Sequence, residues 1–166
     1  NNVTYLQITP KSRSAIPEYE QMEHEVSSIV GRVNGTYGEA SWTPVRYVNR
    51  NYRRDELAGV YRAAKVGLVT PMRDGMNLVA KEYVAAQDPE DPGVLILSLL
   101  AGAALEMKEA LLVNPHDLDG VADAIAAAAN MPLAERKERW HAMMAHLLEH
   151  DINAWRRGYL AALRTA

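Results

Sequence analysis

Residues 68–82 read Leu-Val-Thr-Pro-Met-Arg-Asp-Gly-Met-Asn-Leu-Val-Ala-Lys-Glu. The segment opens as a short apolar strand, turns at a Pro/Gly pair, and continues as a helix with acidic residues at both ends, Asp74 and Glu82. A strand that turns directly into a helix is typical of α/β proteins. The first amides of such a helix have no intrahelical partner, so we predict that the amides of residues 75–78 are free to bind an anion or a hydroxyl group.

The same alternation of strands and helices continues along the chain. Helix candidates separate most of the apolar runs, and Asn34-Gly35 is expected to end the first of them. The pattern predicts an α/β fold with a mainly parallel sheet, in a single domain over residues 1–166. The predicted strands are Val3–Ile8, Val45–Val48, Val66–Thr70, Val94–Leu97 and Ala110–Val113, and the predicted helices are Pro17–Val33, Asp55–Ala64, Gly75–Gln87, Asp117–Asn130, Leu133–Glu149 and Asp151–Leu163.

Composition excludes several classes of protein. The 166 residues are 48% apolar and 23% charged with a net charge of −3, which fits a globular domain and argues against a nucleic-acid partner. There is no cysteine, hence no disulfide and no thiolate metal site. No apolar run reaches the roughly 20 residues of a membrane span, and the first residues do not resemble a signal peptide. We therefore expect a cytoplasmic protein without a membrane partner, and the first residues read as the middle of a longer chain.

A known family shares these motifs. The segment Gly67–Gln87, together with Gln7–Arg13, Ala101–Ala104 and Leu112–Pro115, closely resembles the trehalose-6-phosphate synthases, which are retaining glycosyltransferases of the two-domain GT-B type. The resemblance covers the carboxyl-terminal, nucleotide-binding domain of that family. It implies a Rossmann-like fold and the transfer of glucose from UDP-glucose to glucose 6-phosphate, giving trehalose 6-phosphate and UDP.

The resemblance also implies roles for particular residues. Asp74 would contact hydroxyls of the transferred glucose and is the catalytic candidate, Glu82 would accept from the ribose hydroxyls, Tyr52 would lie beside the uracil, and Arg13 would hold the phosphate of the acceptor. A guanidinium suits a phosphate, and a carboxylate suits a diol. Transfer of this type needs neither a protein nucleophile nor a metal or other cofactor. The substrate-binding candidates are Arg13, Tyr52, Asp74, Met76, Asn77, Leu78, Val79, Ala80, Lys81 and Glu82.

Simpler interpretations of these residues stay open. Asp74-Gly75 alone is equally typical of a turn with a helix cap, and Tyr52 is as compatible with packing as with ring stacking. His146-Leu-Leu-Glu-His150 has the spacing of an inverted zinc-peptidase motif. Nothing else in the chain resembles that class, so we interpret it as an ordinary exposed helix rather than a metal site.

The chain also departs from the family. It lacks the amino-terminal domain with most acceptor contacts, and it lacks the first strand of the nucleotide-binding domain with the arginine and lysine that hold the UDP phosphates. Two lost cationic contacts, at roughly 1.5–3 kcal/mol each, would move UDP binding from micromolar to millimolar or weaker. We therefore expect no measurable turnover by this chain alone and weak or undetectable UDP binding.

The chain also differs from the family by apolar residues at positions that are usually polar. The family usually places polar residues at Leu99 and around Leu105, and added apolar helix surface suggests an interface. One hypothesis is a truncated, engineered synthase domain that forms a homo-oligomer, with Leu99, Leu100 and Leu105 near the contact. The alternative is that these leucines pack inside a natural variant. The alternative to a glycosyltransferase function is a scaffold domain that keeps the fold without catalytic activity.

Overall fold

The computed structural model describes residues 2–10 and 17–165, which fall into two compact units divided between Arg53 and Arg54. Arg13, the predicted acceptor-phosphate residue, lies outside the described residues. No helix among the described residues is both long and apolar enough to cross a membrane.

The first unit is a strand–helix–strand arrangement. It contains β1 (Tyr5–Ile8), α1 (Pro17–Tyr37) and β2 (Val45–Val48), and the two strands pair in parallel with Tyr5 opposite Val45. A helix between two adjacent parallel strands is the connection that such pairing requires.

Helix α1 does not end at Asn34-Gly35 as predicted; it continues to Tyr37. The Asn34 side chain does not cap a turn; it donates to the Val45 carbonyl at 2.9 Å and accepts from the Val45 amide at 3.0 Å. Because the Asn34 side chain is hydrogen-bonded to Val45 in β2, Asn34 keeps a helical backbone, and the chain turns at Gly38. A Cβ atom at Gly38 would lie 2.4 Å from the Asn34 carbonyl oxygen, so a larger residue could not make this turn unchanged.

The second unit is built on a three-stranded parallel sheet of order β3-β4-β5. All five residues of the central strand β4 are buried, as expected for a parallel strand covered by helices on both faces. The elements are α2 (Arg54–Ala63), β3 (Val66–Val69), α3 (Leu78–Ala86), β4 (Val94–Ser98), a short 3₁₀ helix (Gly102–Leu105), β5 (Leu111–Val113), α4 (Leu118–Asn130), α5 (Leu133–Glu149) and α6 (Ile152–Thr165).

The predicted fold class is confirmed: parallel sheets are flanked by six α-helices among the described residues. The predicted sheet is observed as two sheets, one within each unit. Most boundaries differ from the prediction by one or two residues. The exceptions are the late end of α1 and the late start of α3, at Leu78 instead of Gly75.

Two apolar layers enclose β4 because alternate residues of a strand point to opposite faces of its sheet. On one face Leu95 and Leu97 pack with α3 and α5, and on the other Val94 and Ile96 pack with α4. The Trp140 indole joins the first layer and donates to the Val84 carbonyl at 2.9 Å, which ties α5 to α3. This packing fixes α3, whose first residues form the candidate site.

Tyr83 anchors α3 against the edge of the sheet. Its ring covers Gly67, where a Cβ atom would lie 2.8 Å from the ring carbons, and its hydroxyl donates to the Ala64 carbonyl at 2.9 Å. A Cβ atom at Gly93 would lie 2.1 Å from the same hydroxyl. Burial raises the pKa of the Tyr83 hydroxyl well above its ordinary value, so the group stays a neutral donor.

Candidate functional site

The candidate site is the turn that joins β3 to α3. Asn77 is the N-cap of α3 and has φ of 80° and ψ of 93°, in a region that few residues other than glycine occupy. Its side-chain Oδ1 accepts from the Ala80 amide at 3.0 Å. The helix therefore begins after this cap, at Leu78, and residues 74–77 form a separate turn.

A second segment explains why residues 74–76 are not helical. Residues Leu100–Ala103, named the strap from here on, pair with the turn through backbone hydrogen bonds. The Asp74 amide donates to the Leu100 carbonyl at 3.2 Å, the Gly102 amide donates to the Asp74 carbonyl at 3.0 Å, and the Ala103 amide donates to the Met76 carbonyl at 2.7 Å. The backbone of the turn is thus bonded to the strap instead of to a first helical turn.

The Asp74 carboxylate is held at both oxygens. Oδ1 accepts from the Met76 amide at 3.1 Å, and Oδ2 accepts from the Asn77 side-chain amide at 3.1 Å. Asp74 is only partly buried. Because each carboxylate oxygen has a second lone pair, the group can accept further hydrogen bonds from a ligand.

The prediction that the amides of residues 75–78 are all free is partly wrong. The Met76 amide is bonded within the protein, to Asp74, because the turn folds back on its own carboxylate. For the amides of Gly75, Asn77, Leu78 and Val79, the structure shows no hydrogen-bond acceptor among residues 2–10 and 17–165. Two of these amides, at Leu78 and Val79, lie at the N-terminus of α3, where the helix dipole favours an anion.

Two other predicted binding residues, Ala80 and Lys81, already have partners for their polar groups within the protein. Ala80 is completely buried, and its amide is bonded to Asn77, so it offers no group to a ligand. Helical spacing explains this position, since Ala80 shares the core face of α3 with Tyr83 and Val84. The Lys81 ammonium forms an ion pair with Glu106 at 2.6 Å, so its charge is already balanced.

Glu82 lies one turn into α3 and is exposed. In the described part of the chain its carboxylate has no hydrogen bond or ion pair, which leaves it free to accept from hydroxyl groups. It borders a groove of about 350 Å³ between α3 and α5. Burial, and to a smaller extent the Glu82 charge, raises the pKa of the nearby Tyr61 hydroxyl. The groove is lined by Lys81, Glu82, Ala85, Met144, Leu147 and Leu148.

Tyr52 belongs to the first unit and is half-buried. The Arg50 guanidinium lies 4.5 Å from the centroid of its ring, a cation–π contact.

Leu99, Leu100 and Leu105 are 56%, 44% and 79% exposed. They therefore do not pack inside this chain, contrary to the simpler of the two interpretations. Leu105 ends the 3₁₀ helix, which begins within the strap at Gly102.

The two histidines of the H-x-x-E-H pattern contact each other, and one of them lies near Glu106. The His146 and His150 rings stack with centroids 4.0 Å apart, and His146 Nε2 lies 3.6 Å from Glu106 Oε2, beyond hydrogen-bond distance. The hydrogen bond from Lys81 holds the pKa of the Glu106 carboxyl below its ordinary value, with a smaller effect of His146. Within residues 2–10 and 17–165, no three His, Asp or Glu side chains are grouped as a metal ion would require.

The sequence interpretation missed the strap as a functional element. The available signal was the run of small residues Ala101-Gly-Ala-Ala104, since small side chains permit two backbones to approach closely.

Comparisons with known proteins agree on one family. The family model of glycosyltransferase family 20 matches residues 1–165. The trehalose-6-phosphate synthase of Sinorhizobium fredii is 63% identical over 158 residues, which are 95% of this chain and 34% of that protein. The trehalose-6-phosphate synthase of an Enterobacter strain is 52% identical over 162 residues, 98% of this chain and 34% of that protein.

Solved structures agree with the sequence relatives. The α,α-trehalose-phosphate synthase (UDP-forming) of Burkholderia xenovorans, in complex with glucose-6-phosphate, has a TM-score of 0.95 and 50% identity, over 98% of this chain and 36% of that one. An E. coli protein bound with UDP-2-fluoro glucose has a TM-score of 0.95 and 48% identity, over 98% of this chain and 36% of that one. The chain thus spans about a third of the length of the relatives it matches.

Proposed function

The chain belongs to glycosyltransferase family 20, and from this membership we propose that it is the donor-binding part of a retaining glycosyltransferase. The intact enzyme would move glucose from UDP-glucose to glucose 6-phosphate, forming trehalose 6-phosphate and UDP. The observation that carries the proposal is the Asp74 carboxylate, fixed at both oxygens beside the free amides that open α3.

Each proposed contact follows from a group that the protein leaves available. Asp74 accepts hydrogen bonds from the hydroxyls of the transferred glucose with its remaining lone pairs. The Leu78 and Val79 amides donate to the sugar and phosphates of the donor, at the positive end of α3. Glu82 accepts from the two ribose hydroxyls. Lys81 contributes no free charge, because Glu106 neutralises it.

Two further contacts lie in the first unit or outside the described residues. Tyr52, whose ring contacts the Arg50 guanidinium, stacks on the uracil. Arg13 holds the phosphate of glucose 6-phosphate, for which its planar guanidinium is suited.

Catalysis in this proposal is positioning and electrostatics. The acceptor oxygen attacks on the side of the leaving group, with the UDP phosphate assisting, and Asp74 holds the sugar in place while the bond to UDP breaks. No side chain forms a bond to the glucose.

The isolated chain should not catalyse the reaction, and it should bind UDP in the millimolar range or more weakly. A coupled assay of UDP release with both sugars tests the first expectation, and measurable synthesis by the 166-residue chain would contradict it. Titration calorimetry with UDP tests the second. A micromolar constant would show that groups other than the ones named above hold the phosphates.

The function itself is tested in a chimera. In it, this chain replaces the matching third of the Sinorhizobium fredii synthase, to which it is 63% identical. The chimera should form trehalose 6-phosphate, and Asp74→Ala should abolish most of that activity. Asp123→Ala, on the exposed face of α4, is the matched control and should keep the activity. A folded but inactive chimera would refute the proposal.

We also propose that the exposed leucines of the second unit make this chain self-associate. Leu99, Leu100 and Leu105 are all exposed and lie close together in the sequence, and a group of exposed apolar side chains favours an interface where a single one does not. Light scattering at tens of micromolar should give a mass above 18.4 kDa, which Leu105→Gln should reduce. Leu118→Gln is the matched control, because Leu118 is also 79% exposed. A monomeric mass for the unmodified chain would refute self-association.

A further inference from the structure

We propose that Gly102 is a positioning residue for Asp74. Because Gly102 has no side chain, the strap can lie directly against the backbone of the β3–α3 turn, and this contact sets the direction of the Asp74 carboxylate. The inference deepens the proposed function and rests on it, since Asp74 matters for transfer only if it contacts the sugar of the donor.

The packing at Gly102 has no room for a side chain. A Cβ atom there would lie 2.1 Å from the Gly75 carbonyl oxygen, 2.8 Å from the Gly75 carbonyl carbon and 3.3 Å from the Met76 Cα atom. All three neighbours are backbone atoms of the turn, so no side-chain rotation can relieve the overlap. Either the strap or the turn must move.

The need for glycine is one of space and not of conformation. Among the described residues no glycine has a positive φ, so an alanine at position 102 would meet no unfavourable backbone angle. Any effect of Gly102→Ala would therefore come from contact with Gly75 and Met76.

The strap is the more buried of the two segments. Ala101 and Ala103 are buried in the same apolar layer as Met107, whereas Gly75 and Met76 are exposed. An added methyl group should consequently displace the turn, and the displacement should pass to Asp74 through two hydrogen bonds. These are the bond from the Gly102 amide to the Asp74 carbonyl, at 3.0 Å, and the bond from the Ala103 amide to the Met76 carbonyl, at 2.7 Å.

The carboxylate cannot keep its position if the turn moves. Its two oxygens are bonded to the Met76 amide and the Asn77 side chain, and both donors belong to the turn. Gly102 therefore acts on the ligand site through Asp74 without touching the ligand.

The first arm of the test uses the full 166-residue chain without any ligand. NMR resonances of the Met76 amide and the Asn77 side-chain amide report on the bonds to Asp74. Gly102→Ala should shift both, while Gly59→Ala, in open space on α2, should leave them unchanged. A folded Gly102→Ala chain with unshifted resonances would overturn the inference.

The second arm uses the chimera with the Sinorhizobium fredii synthase. Gly102→Ala should raise the KM for UDP-glucose about tenfold or more relative to the inhibition constant of UDP, because a contact to the sugar is lost and the contacts to UDP are kept. A smaller folded fraction would change neither constant. An unchanged ratio in an active variant would overturn the inference.

Two outcomes are separated by design. If the unmodified chimera is inactive, the proposed function fails, and the resonances of the isolated chain still decide whether Gly102 positions Asp74. If Gly102→Ala does not fold, Asn77→Asp takes its place in the chimera, since it removes the donor to Asp74 Oδ2 and keeps the helix cap. The ratio should rise for Asn77→Asp as well, and an unchanged ratio would show that the direction of the Asp74 carboxylate does not matter.

Discussion

Asn77→Asp is the substitution that isolates the contact between Asn77 and Asp74. The aspartate keeps the size of the side chain, and its Oδ1 can still accept from the Ala80 amide as Asn77 does at 3.0 Å. Aspartate also tolerates a positive φ better than most residues. The only group lost is the amide that donates to Asp74 Oδ2 at 3.1 Å.

The expected loss of stability follows from this geometry. A hydrogen bond to a charged group contributes about 1.5–3 kcal/mol. Two carboxylates at this separation also repel each other, by up to about 4 kcal/mol at the effective dielectric of a protein surface, although rotation and solvent reduce that figure. The added negative charge at the N-terminus of α3 interacts favourably with the helix dipole and stabilises the variant by about 0.3–1 kcal/mol. We expect the variant to lose about 2 kcal/mol of unfolding free energy at pH 7.

Urea unfolding at several pH values is the assay. A pair of close carboxylates binds a proton more readily than an isolated one, so the repulsion should fall as the pH is lowered, and the variant should approach the unmodified chain near pH 4. Asn153→Asp is the matched control, because Asn153 donates to Asp151 at 3.0 Å on an exposed surface. Because solvent screens these charges, Asn153→Asp should lower the unfolding free energy by less than about 1 kcal/mol. If Asn77→Asp costs no more than this control at every pH, the proposed geometry of Asp74 is wrong.

Two further predictions concern the packing and charge around α3. Gly93→Ala would place a Cβ atom 2.1 Å from the Tyr83 hydroxyl, so it should lower the unfolding free energy by about 1–3 kcal/mol. Gly59→Ala, in open space, is the control and should raise the unfolding free energy by about 0.4–1 kcal/mol. Equal effects of the two substitutions in urea unfolding would contradict the packing of Gly93 against Tyr83. The hydrogen bond from Lys81 lowers the pKa of the Glu106 carboxyl in the folded chain. The pair therefore stabilises the fold fully at pH values above 4.5, the ordinary pKa, and this stabilisation is lost as the pH falls through the lowered pKa. Glu106→Gln should therefore be less stable than the unmodified chain at pH 7, and the difference should shrink as the pH falls below 4.5. A difference that does not depend on pH would refute the role of this ion pair.

The sequence predicts the framework of this fold well because the framework depends on local patterns. The apolar run Val94–Leu97 is a buried strand as expected, and helix α5 has the predicted bounds, Leu133–Glu149. Helix α4 begins directly after Asp117, whose side chain caps it. Each of these features follows from residues close together in the sequence.

The errors arise where distant residues bond to each other. The start of α3 was predicted too early because the turn at Asp74 bonds to the strap, and local spacing carries no information about that pairing. Asn34 was expected to end α1, but its side chain bonds to Val45 in β2. The candidate site was predicted from the whole segment Gly67–Gln87, while Gly102, which has no functional group, was not singled out.

The central claim is that the start of α3 binds a glucose nucleotide. Titration of the ¹⁵N-labelled chain with UDP-glucose tests it directly, since NMR shifts report binding even at millimolar affinity. The amides of Gly75, Leu78 and Val79 should show the largest shifts and should saturate with a dissociation constant of about 1 mM or above. A second groove lies between α4 and α5 and is lined by Ala129, Met131 and Arg136. Largest shifts there, or no shifts at ligand concentrations of about 20 mM, would contradict the claim.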